Sequence, residues 1–209
     1  MTDSKCKICR RRGEKLFLKG ERCYSPKCAL VRKPYAPGIH GRNKRRRKEV
    51  SEFARQLHEK QKVRFLYGVS EQQFSRYVMQ ALAGHGGGVV QKLVETLEMR
   101  LDNVVFRLGF AVSRSSARQI ISHGHFLVGG KRVFVPSYRM RVGQTVSIDP
   151  VALTKGIFQN LDVTLKKHQT PLWLSIVPEK HEGSITSLPK VEDMVRLYDV
   201  KSIIEYYSL

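Results

Sequence analysis

Four cysteines with the spacing of metal ligands lie near the start of the chain. Cys6, Cys9, Cys23 and Cys28 follow the pattern C-x2-C-x13-C-x4-C. Two close pairs separated by a short loop suit a tetrahedral Zn²⁺ ion, with Zn–S bonds of about 2.3 Å. Four thiolates leave no open coordination position, so such an ion is structural and does not activate water. The spacing therefore predicts one structural Zn²⁺ as the cofactor of this segment.

The same four cysteines have three alternative interpretations, as disulfides, as unpaired core thiols or as ligands of an iron–sulfur cluster. A disulfide fits poorly with the reducing compartment expected below, and unpaired core thiols would not cluster in this way. A four-cysteine iron–sulfur cluster uses the same ligands. Residues 1–45 contain few apolar side chains, mainly Leu16, Phe17, Leu18, Leu30 and Val31. A bound metal would therefore replace a hydrophobic core as the force that orders the segment.

The charge of the chain indicates a polyanionic partner. Its 209 residues carry 38 Lys and Arg against 18 Asp and Glu, for a net charge of +20. Residues 1–48 alone hold 17 of the basic and 3 of the acidic side chains. Nucleic acid is the first candidate and an anionic membrane the second. No stretch approaches the ~18 apolar residues of a membrane span, and we recognise no secretory signal or lipidation motif. We therefore expect no membrane partner and a cytoplasmic or organellar location.

Basic residues run through the cysteine segment and become densest at residues 42–48. Such a run repels itself and is expected to order only against phosphate, with a nuclear-localisation signal as the alternative interpretation. Tyr24 and Tyr35 are suited to stack on bases or ribose, or else pack beside the metal. The predicted RNA contacts of this arm are Arg10, Arg11, Arg12, Lys19, Arg22, Tyr24, Lys27, Lys33, Tyr35, His40, Arg42, Lys44, Arg45, Arg46, Arg47 and Lys48.

Helical periodicity follows the basic arm. Residues 49–67 have the pattern of an amphipathic helix that Gly68 ends. Ser70 and Gln73 form a capping box at the start of a second helix. A third helix begins at Val89. This part of the chain is therefore expected to be mainly helical.

The pattern of apolar, capping and turn residues over 100–149 predicts two helices followed by antiparallel strands. Ser113 is the expected N-cap of the second helix, and Gly124 its left-handed C-terminal residue. Gly129 and Gly130 form the turn of a β-hairpin. The expected strands are residues 126–128, 133–135 and 140–148, the last interrupted at Gly143-Gln144.

Basic residues are also expected on the outer face of this α/β segment. Arg114 and Arg118 lie four positions apart on one helix face, a like-charge arrangement that is costly without an anion. A solvated basic face is the alternative interpretation. The predicted RNA contacts here are Arg100, Asn103, Arg107, Arg114, Arg118, His123, His125, Lys131 and Arg139.

The fold class expected from these elements is α+β, in three parts. Residues 1–48 form a zinc knuckle and basic arm. Residues 49–98 form a mainly helical domain, which the C-terminal residues 178–209 complete. Residues 99–177 form an inserted small α/β RNA-binding domain, made of two helices, antiparallel strands and a following helix.

Four stretches of the sequence resemble the small-subunit ribosomal protein four family of bacteria and organelles, in its four-cysteine zinc-binding form. They are YSPKC at residues 24–28, PYAPG at 34–38, EMRLDNVVFRLGF at 98–110, and residues 113–124. The last two belong to the RNA-binding domain named after the family, which also occurs in RNA-modifying and tRNA-binding proteins. The sequence departs from the family pattern in having Gly129-Gly130 for Asn-Gly, and in the short stretch before Cys6.

The resemblance implies a structural constituent of the small ribosomal subunit. It implies primary binding to the five-way junction in the 5′ domain of small-subunit rRNA, nucleation of assembly, and a contribution to translational accuracy. It also implies small-subunit ribosomal proteins three and five as neighbours near the mRNA entry channel. By the same resemblance, Arg45, Arg46 and Arg47 lie near incoming mRNA.

Two other classes of function remain open from the sequence. An RNA-modifying enzyme needs a catalytic domain, but the chain has no HExxH, no H-x-E with P-C-x-x-C, no Walker lysine and no G-x-S-x-G. We therefore expect no enzyme and no small-molecule substrate. A free translational repressor or RNA chaperone needs the same RNA-binding surface as a ribosomal protein, so the sequence does not separate these.

Overall fold

The structure is a computed structural model that describes residues 4–42, 51–84, 88–193 and 198–208. The chain forms two compact units, which we call unit 1 (residues 1–83 and 197–209) and unit 2 (residues 84–196). The helices are α1 (Lys5–Arg12), α2 (Ala29–Arg32), α3 (Glu52–Tyr67), α4 (Glu71–Ala83), α5 (Val89–Glu98), α6 (Leu101–Arg107), α7 (Arg114–Ser122), α8 (Pro150–Leu153), α9 (Leu161–Lys167) and α10 (Val200–Ser208). The strands are β1 (Phe126–Val128), β2 (Lys131–Val133), β3 (Thr145–Ile148), β4 (Leu174–Val177) and β5 (Glu182–Ile185). Short 3₁₀ turns lie at Gly20–Cys23, Ile39–Arg42, Gly156–Phe158, Pro178–Lys180 and Val191–Asp193.

This division differs from the three parts expected from the sequence. Helix α5 packs with α6 inside unit 2, so residues 89–98 belong with the α/β part and not with the helices before them. Strand β5 pairs with β3 and β4, so residues 182–185 complete a sheet and not the helical part. Of the expected C-terminal return, α10 packs on α3 within unit 1.

In unit 1, local sequence signals set the ends of α3 and α4. The Ser51 hydroxyl accepts a hydrogen bond from the Ala54 amide at 3.3 Å and caps the start of α3. Gly68 ends that helix, as predicted, and adopts the left-handed conformation. The Ser70 hydroxyl accepts from the Gln73 amide at 3.3 Å and so caps α4. The buried faces of α3, α4 and α10 contribute Val63, Tyr67, Phe74, Val78, Val200 and Ile203 to a shared core.

Polar contacts hold the C-terminal segment in unit 1. The hydroxyls of Tyr67 and Tyr198 lie 2.9 Å apart in a buried contact. The Tyr207 hydroxyl donates to Glu71 Oε1 at 2.9 Å, and the buried Lys60 ammonium donates to the same oxygen at 2.6 Å. Lys60 also lies over the Tyr206 ring. These contacts join α10 to both α3 and α4 through Glu71.

Unit 2 is built on one antiparallel sheet in the order β2-β1-β3-β5-β4. Phe126 lies opposite Ile148 in the register of β1 and β3. Helices α6 and α7 pack against each other, and the Ser113 hydroxyl caps α7 by accepting from the Ser116 amide, as predicted. The core of unit 2 includes the fully buried side chains of Leu101, Leu108, Ile121, Phe126, Met140 and Trp173.

The hairpin turn is confirmed, but two strand boundaries and one helix differ from the expectation. Gly129 and Gly130 both have positive φ, at 54° and 78°, so the two-residue turn places Lys131 directly opposite Val128. Strand β2 therefore starts at Lys131 rather than at residue 133. Strand β3 is confined to Thr145–Ile148, directly after the interruption that was expected at Gly143-Gln144. The single helix expected after the sheet is divided into α8 and α9 by a 3₁₀ turn.

Gly124 is a position that a side chain does not fit. Its φ is 72°, and a Cβ atom built there would lie 2.4 Å from Cε1 of Phe134. We expect Gly124→Ala to lower the free energy of unfolding of unit 2 by about 1–3 kcal/mol, because strain in the left-handed region adds to the displacement of the ring. Urea unfolding would measure the loss, with Gly129→Ala as a control, since its φ is also positive but its Cβ would meet no atom within 4 Å. Equal losses in the two variants would contradict the contribution of Phe134.

Candidate nucleic-acid interface

The four cysteines line one cavity in unit 1. Helix α1 carries Cys6 and Cys9 three positions apart, so both side chains lie on the same helix face. Cys23 ends the 3₁₀ turn and Cys28 immediately precedes α2. All four side chains line the cavity and none forms a disulfide. Lys5, Lys19 and Arg22 line it as well, which surrounds the thiols with positive charge.

Backbone amides point at two of the sulfur atoms. The Lys19 amide donates to Cys23 Sγ at 3.4 Å, and the Leu16 amide donates to Cys9. Burial raises the pKa of the Cys9 thiol, and the three neighbouring cysteines raise it further. In the ranges that the structure describes, no three Cys, His, Asp or Glu side chains are grouped so as to hold a metal ion. The cysteines thus share a cavity without adopting a ligand geometry.

Two of the predicted RNA-binding arginines of the arm make contacts inside unit 1. Arg10 Nε donates to the carbonyls of Tyr35 at 3.0 Å and Lys33 at 3.2 Å. Arg12 donates to the carbonyl of His58 at 3.0 Å and to the side chain of Gln61. Arg10 therefore fixes the backbone of residues 33–36, and Arg12 ties α1 to α3.

The other cations predicted to contact RNA in the described part of the arm face solvent. These side chains are Arg11, Lys19, Arg22, Lys27, Lys33, His40 and Arg42. Lys19 and Arg22 line the cysteine cavity, and Lys33, His40 and Arg42 lie in the segment that follows α2. The predicted contacts Lys44, Arg45, Arg46, Arg47 and Lys48 lie outside the described residues.

The two tyrosines of the arm have different environments. Tyr35 is partly buried beneath Arg10 and Arg42, whose guanidinium carbons lie 4.9 Å and 5.2 Å from the ring centroid. Tyr24 is 76% exposed and pairs with the ring of Phe17, which is 42% exposed. The two ring centroids are 4.9 Å apart and the planes are inclined by 31°. This pair was not predicted from the sequence, where Phe17 was only one of the few apolar residues of the segment, although an aromatic residue amid charged neighbours was a possible signal.

In unit 2 the outward placement expected for Arg100 is wrong, and Asn103 is buried too. Arg100 donates from Nε and Nη2 to the two carboxylate oxygens of Asp102, at 3.0 Å and 2.7 Å. Asn103 donates to both the carbonyl and the carboxylate of the fully buried Glu98. Only about 1% of either predicted contact is exposed, because each completes a buried polar network. Neither side chain reaches the surface of unit 2.

The arginines of α6 and α7 use part of their donors within unit 2. Arg107 donates from Nε and Nη2 to Glu98, both at 3.1 Å. Arg114 donates to Asn103 Oδ1 at 2.8 Å and lies over the Phe106 ring. Arg118 is partly exposed, with Nε 3.8 Å from Asp102 Oδ2. The carboxylates beneath this face offset some of the repulsion that was expected between Arg114 and Arg118.

A second group of predicted contacts lies at the sheet edge and hairpin. The rings of His123 and His125 stack with centroids 6.0 Å apart. Lys155, which sequence reasoning did not select, brings Nζ to 3.5 Å from His125 Nε2. Burial and then Lys155 lower the pKa of His125. Lys131 and Arg139 are exposed, so unit 2 presents cations of its own at the surface.

In the described part of the chain, no helix is both long and apolar enough to cross a membrane. Residues 1–98 match the model of the ribosomal protein S4/S9 N-terminal domain, and residues 99–146 match the S4 domain. The chain is 46% identical to the small ribosomal subunit protein uS4 of Thermosipho melanesiensis over 213 residues, covering 99% of this chain and 98% of the relative. It is 44% identical to uS4 of Solidesulfovibrio magneticus over 99% and 98% of the two chains, and 42% identical to uS4 of Thermotoga maritima over 97% and 96%. At this identity over nearly full length, the chain belongs to the uS4 family of small ribosomal subunit proteins.

Proposed function

We propose that the chain binds the five-way junction in the 5′ domain of small-subunit rRNA and nucleates assembly there. As a member of its family it is an RNA-binding structural constituent of the small ribosomal subunit, located on the ribosome in the cytoplasm, and not an enzyme. The observation that supports the finer proposal is the set of exposed cations in the cysteine segment, of which Lys19 and Arg22 line the cavity, together with the basic surface of unit 2. A junction brings several phosphate backbones together, and two basic surfaces on one chain suit such a target.

The RNA affinity of the free protein is expected to fall steeply as salt rises. Each phosphate that a Lys or Arg neutralises contributes about 0.7–0.9 to the slope of log K against log salt concentration, because counterions are released. Filter binding of the 5′ domain at several salt concentrations measures this slope, with tRNA as competitor. Tight binding that survives tRNA at each concentration is the expected result. Equal affinity for the two RNAs would contradict the proposal and leave only a general RNA-binding protein.

We propose that Cys6, Cys9, Cys23 and Cys28 hold one structural Zn²⁺. Three features support this: the four side chains line one cavity, backbone amides donate to two of the sulfurs, and cations line the same cavity. Four thiolates around Zn²⁺ carry net negative charge, which amide donors and nearby Lys or Arg stabilise. The ion would supply no chemistry beyond ordering the knuckle. Metal analysis of the purified chain is expected to find one zinc per molecule and no iron.

We further propose that this chain contributes to translational accuracy and that its neighbours in the assembled subunit are small-subunit ribosomal proteins three and five. We propose also that Arg45, Arg46 and Arg47 lie near mRNA at the entry channel. The density of positive charge at residues 42–48 supports the mRNA contact. Photo-crosslinking from a reactive residue at position 46 in reconstituted subunits is expected to label mRNA. Labelling of rRNA alone would contradict that contact.

A further inference from the structure

Phe17 and Tyr24 form an aromatic pair that unit 1 leaves open to solvent. Aromatic pairs in a protein core, such as Phe110 and Phe126 here, lose most of their surface to neighbouring residues. Tyr24 keeps 76% of its surface although one ring face lies against Phe17. The opposite face of the Tyr24 ring is therefore available to a planar ligand.

The loop that carries the pair is fixed at several points. Phe17 has a φ of 50°, in the left-handed region that L side chains rarely adopt. The residue before it, Leu16, is buried against Ile8 and Cys9. Tyr24 directly follows Cys23, and its amide donates to the carbonyl of Glu21 at 3.0 Å. A phenylalanine held exposed in a strained conformation is typical of a residue kept for contact with a ligand.

The charges beside the pair decide between a nucleic acid and a protein as its ligand. Lys15, Lys19, Arg22 and Lys27 lie within five positions of one ring or the other, and all are exposed. Lysine is depleted in the cores of protein–protein interfaces. An unpaired nucleotide offers both a flat base for the ring and a phosphate for the neighbouring cations.

We propose that the Phe17–Tyr24 pair is a stacking platform that takes one unpaired rRNA base on the open face of Tyr24. Phe17 supports the ring of Tyr24 from behind and fixes its orientation. This inference rests on the proposed binding of the 5′ domain and adds to it a contact with a base, where the surrounding cations contact phosphate.

The test compares variants of the full-length, zinc-supplemented chain in binding the 5′ domain of small-subunit rRNA. Tyr24→Leu removes the aromatic face and is expected to weaken binding about tenfold, as loss of one stacked base does. Tyr24→Phe keeps the face and is expected to bind within about twofold of the parent. The salt slope is expected to stay unchanged, because no phosphate contact is lost. Inorganic polyphosphate, a polyanion without bases, is expected to bind the parent and both variants equally.

A third variant separates stacking from packing. Phe17→Asn removes the ring but suits the left-handed backbone, so the arm is expected to resist trypsin as well as the parent while binding rRNA more weakly. Faster cleavage of this variant within residues 5–33 would make Phe17 a packing residue and overturn the platform.

Two further outcomes overturn the inference in distinguishable ways. In the first, Tyr24→Leu and Tyr24→Phe bind rRNA with equal affinity while the parent still prefers the 5′ domain over tRNA. This result would contradict the stacking platform but not the proposed function, and would leave the surface to a protein partner. A parent that does not prefer the 5′ domain would remove the proposed function together with the platform.

Discussion

Asp102→Ala is expected to lower the free energy of unfolding of unit 2 by about 3–5 kcal/mol, the usual loss when one partner of a buried ion pair is removed. The carboxylate lies 2.7 Å from Arg100 Nη2, and only 2% of each side chain is exposed. Truncation deprives a buried guanidinium of this counter-charge in a medium of low dielectric constant. Urea unfolding followed by the fluorescence of Trp173 measures the loss, because it is the single tryptophan of the chain and lies in the core of unit 2.

The same substitution at Asp162 provides the matched control. Asp162 Oδ1 also contacts a basic side chain of unit 2, with His181 Nε2 at 2.9 Å, but 75% of the Asp162 side chain is exposed. Asp162→Ala is therefore expected to cost less than about 1 kcal/mol. A double variant, Arg100→Met with Asp102→Leu, is expected to recover most of the stability, since well-packed apolar residues often replace a buried ion pair without loss. Equal losses for Asp102→Ala and Asp162→Ala would contradict the burial argument.

Removal of the proposed zinc, by a chelator or by Cys9→Ser, is expected to weaken binding of the 5′ domain at least about tenfold. The buried apolar cluster of the knuckle consists of little more than Ile8, Cys9 and Leu16. With so small a core, the proposed metal would be the main source of order in this segment. Loss of that order would scatter the cations around the cavity, so several phosphate contacts would weaken together. Filter binding with and without chelator, followed by added Zn²⁺, measures the effect.

A single exposed cation gives the control for this experiment. Arg11→Ala removes one side chain from α1 without touching the cysteines. The slope of log K against log salt concentration is therefore expected to become shallower by about 0.7–0.9, the contribution of one phosphate contact. Cys9→Ser is expected to make the same slope shallower by the contribution of several phosphate contacts, although it removes no Lys or Arg. Added Zn²⁺ is expected to restore the chelated parent and not Cys9→Ser. Unchanged affinity of Cys9→Ser at equal salt would show that the metal does not order the arm.

Short-range signals in the sequence predicted the local structure well. The N-cap at Ser113, the helix end at Gly68, the left-handed Gly124 and the Gly129-Gly130 turn depend on residues a few positions apart. Such features are set by steric limits on φ and by hydrogen bonds to nearby amides, and both can be read from the residue type. Family membership was predicted for the same reason, because its motifs are contiguous.

Contacts between distant residues account for most of what the sequence did not predict. Strand β5 is short and mixed in composition, so its sequence does not indicate that it pairs with β3. The paired residues of the two strands lie about 37 positions apart in the chain. Arg100 was expected at the surface because arginine usually is, and its pairing with Asp102 depends on the extended backbone of residue 100 just before α6. In the candidate site, Arg10 and Arg12 donate to backbone carbonyls whereas Arg11 faces solvent, and three consecutive arginines carry no local signal that separates these roles.

The two units become foldable at different times during synthesis, because α10 supplies part of the core of unit 1. Unit 2 is continuous in sequence, so it can fold as soon as residue 196 has left the exit tunnel. Unit 1 has to wait for residues 198–208, since the Tyr67–Tyr198 contact joins positions 131 residues apart. The nascent chain therefore presents a folded S4 domain before α3 and α4 have been covered. That order of folding leaves the apolar faces of these two helices exposed for longest during translation.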